Sequence, residues 1–311
     1  MDNLCHTLVG AACGEAGLRQ RTRFGNVTLM ISANLPDLDV LSLFFYPYPI
    51  SFRRGWTHGI LAQLLLPVAL TAVMYAIGRP RSRRDDHGPS VHAGWLLALS
   101  YVGVYSHVFL DFLNNYGVRV LAPFDWRWFY GDAVFIADVW LWLALGAGVW
   151  LARRQRSPRP ARAALVFASC YIVAMLASGQ AARRVVAETW QQARGTSPRA
   201  LMVGPLPITP LTRTVVVDAG DRYETGTFTS WPGSVRFDAP PIAKNAGDPL
   251  VKAAVAQDRN IREFLVWARF PFWTLTPEKD GTRVTVGDVR FMSAPIRGAR
   301  FQASTVVRSP P

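Results

Sequence analysis

The stretch AGWLLALSYVGVYSHVFLDFL, residues 93–113, decides how this sequence is read. Its length and apolarity suit a bilayer crossing, which needs about 20 mostly apolar residues. Near its end it carries His107 and Asp111. Four residues apart, these two share one face of a helix. An ionisable pair inside hydrocarbon is costly and marks a functional position by default.

Working outward, residues 59–78, 133–151 and 163–179 are comparably apolar. Two shorter segments precede them. Residues 4–18 are rich in small side chains and hold His6 and Glu15, and residues 27–45 are interrupted by Asn34-Leu-Pro-Asp37-Leu-Asp39. The acidic start and the ionisable groups in its apolar core do not suit a signal peptide. Beyond residue 180 the pattern changes to short alternating runs. Strands are expected at 213–217, 225–230, 235–237, 283–286 and 289–292, with a helix over 249–269. The expected fold is mainly α: a polytopic transmembrane helical bundle of four strong spans plus two shorter N-terminal helices. A soluble α+β domain follows. The domain limits on this reading are residues 1–180 and 181–311.

Charge sharpens this picture. The chain holds 34 basic residues against 21 acidic ones, a formal net charge of +13, and only Lys244, Lys252 and Lys279 are lysine. Such basicity can mark a nucleic-acid binder, but its placement argues otherwise. Three arginines lie at 19–23, four at 79–84 and five at 153–162, on every second loop of the six-segment model. That is the cytoplasmic signature of a membrane protein. The alternate loops hold only Arg53, Arg54, Arg119 and Arg127. The expected location is a bacterial-type inner membrane, crossed several times, with the N-terminus and the C-terminal domain on the outer, periplasmic side. Cys5, Cys13 and Cys170 are too few for a disulfide scaffold.

On this topology His6, Asp37, Asp39, His58, His107 and Asp111 all fall at one depth, toward the outer face. The arginine distribution is independent of these residues. Each alone has an ordinary reading. His6 suits an interfacial polar residue, Asp37 and Asp39 a turn and cap, Arg53 to His58 an interfacial anchor, and His107 with Asp111 an interhelical pair. Their alignment in depth favours one site. Histidine with carboxylate suits zinc, manganese or iron. Six ligands exceed one closed tetrahedral site and fit one or two divalent ions, zinc the first expectation. A metal-activated water would serve a displacement at phosphorus, with an aspartate, Asp37 in first place, as general base. Arg53, Arg54 and Asn115 are the candidates for holding an anionic substrate. His87 and His92, in the arginine-rich loop, are left out of the site.

Four ordered motifs carry a resemblance: Met1-Asp-Asn-Leu-Cys-His6, Asn34-Leu-Pro-Asp37-Leu-Asp39, Arg54-Gly-Trp-Thr-His58-Gly59 and His107-Val-Phe-Leu-Asp111. Together they resemble the YdjM-like family of predicted membrane-bound metal-dependent hydrolases, over about residues 1–180. The ligand order is also similar to zinc-dependent phospholipase C and the fungal single-strand nucleases. That similarity implies a central site of Asp37 or Asp39 with His58, His107 and Asp111, and a second ion on His6 and Asp111. In those enzymes a free N-terminal amine is a further ligand. Their third site has no counterpart, because no His follows His107.

The function expected is thus a membrane-bound metal-dependent hydrolase, phosphoesterase-like, acting at the outer membrane face. Its partners would be membrane lipid and a lipid-linked or phosphorylated substrate, not nucleic acid. The alternative is a non-catalytic membrane protein whose metal or ion-pair cluster is structural, with the soluble domain as a binding module. A cation transporter is a weaker third reading, since no inverted repeat is visible.

Overall fold

The computed structural model describes residues 1–46, 49–82, 90–292 and 301–308. Arg83, Arg84 and His87 lie outside the described residues, as do the side chains of Arg79 and Arg81. The first half is helical: α1 (Asn3–Glu15), α2 (Gly25–Ser32), a 3-10 turn (Leu35–Leu41), α3 (Ser42–Phe45), α4 (Pro49–Phe52), α5 (Ile60–Ser82), α6 (Ala93–Phe112), α7 (Val139–Gln155) and α8 (Arg159–Arg194). The rest holds β1 (Ala200–Pro205), β2 (Thr212–Asp218), β3 (Arg222–Thr229), β4 (Ser234–Phe237), β5 (Ile242–Ala243), α9 (Pro249–Gln257), α10 (Arg259–Trp267), β6 (Pro271–Glu278), β7 (Gly281–Asp288) and β8 (Gln302–Val307).

The chain forms two compact units. One comprises residues 1–41, 53–177 and 205–210, and the other residues 42–52, 178–204 and 211–311. The chain passes from the first to the second within α8.

Among the described residues three helices are long and apolar enough to cross a membrane: Ile60–Gly78, Ala93–Phe112 and Arg159–Arg194. A fourth crossing is added if α2 and the helical stretch Leu35–Phe45, bent by 48°, count as one. Among the described residues, three of the four strong spans expected are therefore borne out. The segment at 133–151 is the exception. Its first six residues are irregular, and α7 has only 17 residues. The cause is local. Asp138 caps α7, accepting hydrogen bonds from the backbone N–H groups of Trp140 and Leu141, and a capping carboxylate fixes where a helix begins. The side chain also accepts from the Tyr171 hydroxyl at 3.1 Å.

Close helix packing assembles the first unit. Gly10 lets α1 lie against the α2 backbone, since a Cβ there would stand 2.8 Å from the Leu29 carbonyl oxygen. Gly103 does the same for α6, where a Cβ would fall 1.9 Å from Ser32 Oγ. Small residues at crossings allow such approach in membranes. Helix α2 is thus held between the helices that carry His6 and His107.

In the second unit the sheet order is β1-β2-β3-β4, with β5 paired to β3, and β6-β7-β8 form a second sheet. Strand β2 shows why its sequence reads as a strand. Val215 and Val217 pack with Ala182, Val186 and Trp190 of α8, while Val216 packs with Met202, Tyr223 and Phe270. Alternate residues face opposite sides of a strand, so this sheet is covered on both faces. Two expectations fail here. Residues 289–292 form a 3-10 turn rather than a strand, because Asp288 captures the Arg290 backbone N–H. The single helix over 249–269 is two, broken at Asp258, which caps α10 through Asn260 and Ile261.

Candidate metal centre

Asp37, His58, His107 and Asp111 are buried together, and one donor atom from each lies within 4.8 Å of all the others. They come from three places. Asp37 sits on the 3-10 turn after α2, His58 directly before α5, and His107 and Asp111 on the inner face of α6. Pro36 and the 3-10 geometry turn Asp37 and Asp39 inward, at 4% and 3% exposure, and leave Leu38 between them exposed.

The hydrogen bonds around the two histidines bear on their tautomers. His107 Nδ1 lies 2.7 Å from the Ala33 carbonyl oxygen, so it must carry the proton and donate. Its Nε2 is left with a lone pair facing the cluster. His58 Nδ1 lies 2.9 Å from Thr57 Oγ1, which lies 3.1 Å from Asp39 Oδ2, so a His58 that donates from Nδ1 completes a relay to Asp39 and frees Nε2. His58 Nε2 also faces inward, 3.1 Å from His107 Nε2 and 3.2 Å from Asp111 Oδ2. These donor atoms are close enough to share one cation, or to pair through an Nε2–H of His58.

The spacing fits such a cation. Ligands about 2.0–2.2 Å from a tetrahedral ion are about 3.3–3.6 Å apart. His107 Nε2 lies 3.6 Å from Asp111 Oδ2 and 3.9 Å from Asp37 Oδ1. The buried Asp37, His58, His107 and Asp111 set can hold a metal ion.

The other expected ligands border this set. The His6 ring stacks on His107, with centroids 3.8 Å apart. Both His6 nitrogens are buried and make no hydrogen bond among the described residues, and Nε2 stands 3.4 Å from Asp111 Oδ1. Asp39 lies one layer out, accepting from the Arg54 backbone N–H at 2.6 Å as well as from Thr57.

The expected substrate groups separate. Arg54 is 4% exposed and is bonded inside the cluster, its Nε 2.9 Å from Asp111 Oδ2 and its Nη2 2.9 Å from Asp111 Oδ1. It also donates to Asn114 Oδ1 at 3.1 Å and lies over the Tyr116 ring. Arg53 remains the more accessible, its side chain 27% exposed, within 3.5 Å of Asp37 and 3.4 Å of Asp39. Asn115 is buried at 3%.

Thr57, the Ala33 carbonyl and the pairing of Arg54 with Asp111 are parts of the centre that sequence reasoning missed. The Met1 amino group, which stands against Asp111 Oδ1, is the group that the phospholipase C similarity singles out. Thr57 had one signal, a hydroxyl directly before a histidine in Gly55-Trp-Thr-His58-Gly59.

A family model for the YdjM inner membrane protein matches residues 1–182, more than half of the chain and every residue of this cluster. The chain belongs to the YdjM inner membrane protein family. The YdjM match, together with the three apolar helices, makes this a membrane protein. The chain is also similar to the uncharacterized protein YfhP of Bacillus subtilis (strain 168), 27% identical over 148 residues. That similarity covers 47% of this chain and 41% of YfhP, so the chain spans less than half the length of that relative. No solved structure matches.

Proposed function

We propose that this YdjM-family protein is a metal-dependent hydrolase of the membrane, phosphoesterase-like, with its site toward the outer face. The observation that carries this reading is the convergence of Asp37, His58, His107 and Asp111, with His107 Nδ1 bonded to the Ala33 carbonyl so that its Nε2 faces the shared point. Two imidazoles with two carboxylates suit zinc. His6, with its unbonded nitrogens beside Asp111, supports a second ion. A bound divalent ion supplies a lowered pKa for water and a clamp on phosphoryl oxygens.

The chain's own residues supply the rest. Asp37 is the general base, beside Arg53 at the accessible edge. Arg53, the more exposed of the two arginines, binds the anionic group of the substrate. Arg54 holds Asp111 oriented, and Thr57 links Asp39 to His58. Arginine bias in the loops supports a periplasmic site and C-terminal domain. A site at that depth favours a substrate that is a lipid or is carried on one.

One observation favours a second reading. The two-point bond from Arg54 to Asp111 already neutralises one carboxylate. The cluster then staples the helices, and the second unit serves as a binding module. Hydrolysis assays on zinc-loaded full-length protein separate the two. The first reading expects phosphoester turnover that Asp37→Asn lowers at least about 100-fold, as loss of a general base does, with metal content measured alongside because Asp37 is also one of the four candidate ligands. No turnover on any phosphoester by folded, metal-loaded protein would favour the staple.

A further inference from the structure

The bend after α2 leaves an open apolar groove of about 450 Å³ beside the cluster. Val27, Met30 and Ile31 of α2 and Leu35 and Leu38 of the 3-10 turn form its apolar lining. Val27, Ile31 and Leu38 are 47%, 41% and 50% exposed. One end of the groove is polar. There Asn34 Nδ2 donates to Thr7 Oγ1 at 2.9 Å, while Asn34 Oδ1 is buried with no hydrogen-bond partner among the described residues.

That polar end adjoins the proposed centre. Thr7 follows His6, the Asp37 backbone N–H donates to the Asn34 carbonyl at 3.1 Å, and Ala33 holds His107. Leu38 occupies the same turn as Asp37 and Asp39 and points the other way. One short turn thus presents carboxylates to the cluster and an apolar wall to the groove.

We propose that this groove seats the hydrocarbon chain of a membrane amphiphile whose phosphorylated head lies at the cluster. The inference rests on the hydrolase reading for the head group. The chain site itself follows from the apolar lining, its place on a helix pair apolar enough to cross the membrane, and its continuity with the carboxylate turn. Sites for apolar ligands are commonly grooves of this size with a few polar groups at one end. The unbonded Asn34 Oδ1 adds a preference for a ligand that carries a hydrogen-bond donor, such as a hydroxyl, near its head.

The test uses full-length protein in lipid nanodiscs and a long-chain alkyl phosphate with a mid-chain diazirine. After photolysis, peptide mass spectrometry compares labelling of Val27, Ile31 and Leu38 with that of Leu65, Val73, Val166 and Val173, which are exposed on other helices. At least tenfold excess at the groove is expected, and Ile31→Trp, which fills it, should remove the excess without loss of metal. The same variant should raise KM for the long-chain phosphate about tenfold and leave turnover of soluble 4-nitrophenyl phosphate unchanged. Even labelling across all seven positions, or an unchanged long-chain KM in Ile31→Trp, would overturn the proposal. So would an Ile31→Cys chain that forms disulfide dimers in the bilayer and takes no label, since a second copy would then fill the groove. Labelling requires no catalysis. Groove labelling without any turnover would support the chain site while defeating the hydrolase reading, and turnover with even labelling would do the reverse.

Discussion

Replacing Arg54 with methionine removes a buried cation and keeps most of its apolar volume. Asp111 is fully buried, and it receives two 2.9 Å contacts from the guanidinium. Removing one partner of a buried ion pair costs about 3–5 kcal/mol, because the other charge is left uncompensated. The Met1 amino group also faces Asp111 and stays in place. That puts the expectation at the lower end, about 3 kcal/mol. Denaturant unfolding of metal-free protein in micelles measures it. The double variant Arg54→Met with Asp111→Asn removes the stranded charge, so it should recover about 2 kcal/mol relative to the sum of the single losses, within the usual range for contacting residues. A loss below about 1 kcal/mol for Arg54→Met, against that range, would refute the reasoning. Strict additivity in the double variant would refute it equally.

Other consequences are as specific. Thr57→Val cuts the relay from Asp39 to His58 without touching a ligand, and loss of such an outer partner weakens metal affinity about 10–100-fold. Competition with a chelating dye would show this, and unchanged affinity would remove Thr57 from the centre. In the second unit, burial alone would push the Asp288 carboxyl up, but the Arg290 guanidinium and the N–H groups of Arg290 and Phe270 outweigh it and hold it below the ordinary carboxylate range. A carboxyl lowered on folding stabilises the folded state above its unfolded value, near pH 4, and loses that contribution as pH falls through its folded value. Asp288→Asn should therefore destabilise this unit at pH 7 by a few kcal/mol and flatten its acid unfolding limb below about pH 4. Tryptophan fluorescence read against pH would follow it, since Arg290 lies over the Trp267 ring, and an unchanged acid limb would dismiss the idea.

What the sequence disclosed depended on distance along the chain. His107 and Asp111 were legible as a pair because one helical turn joins them. The gathering of His6, Asp37 and His58 with that pair was legible as a shared depth and as the ligand set that the resemblance implies. Arg54 lies 57 residues from Asp111. Nothing local distinguishes a guanidinium that binds substrate from one that neutralises a ligand, and only the packing around Asp111 decides it. The misplaced elements share a cause. Hydropathy reads 133–151 as one span and 249–269 as one helix, but Asp138 and Asp258 bond to the N–H groups after them and start helices there. A capping aspartate weighs little in an average over many residues yet is decisive where it stands. Strand β2 was found because its valines alternate between two covered faces. Strand β6 was missed, with prolines at Pro271 and Pro277 that argue against a strand interior.

The central claim is that the buried cluster holds a divalent metal. Elemental analysis of full-length protein, purified without chelator and then dialysed against zinc, tests it most directly. The account predicts one or two tightly bound ions per chain, about 10–100-fold weaker binding or outright loss in His58→Ala and His107→Ala, and a lower unfolding temperature after chelation. Folded protein that takes up no divalent ion, and whose unfolding temperature is the same with and without chelator, would contradict it.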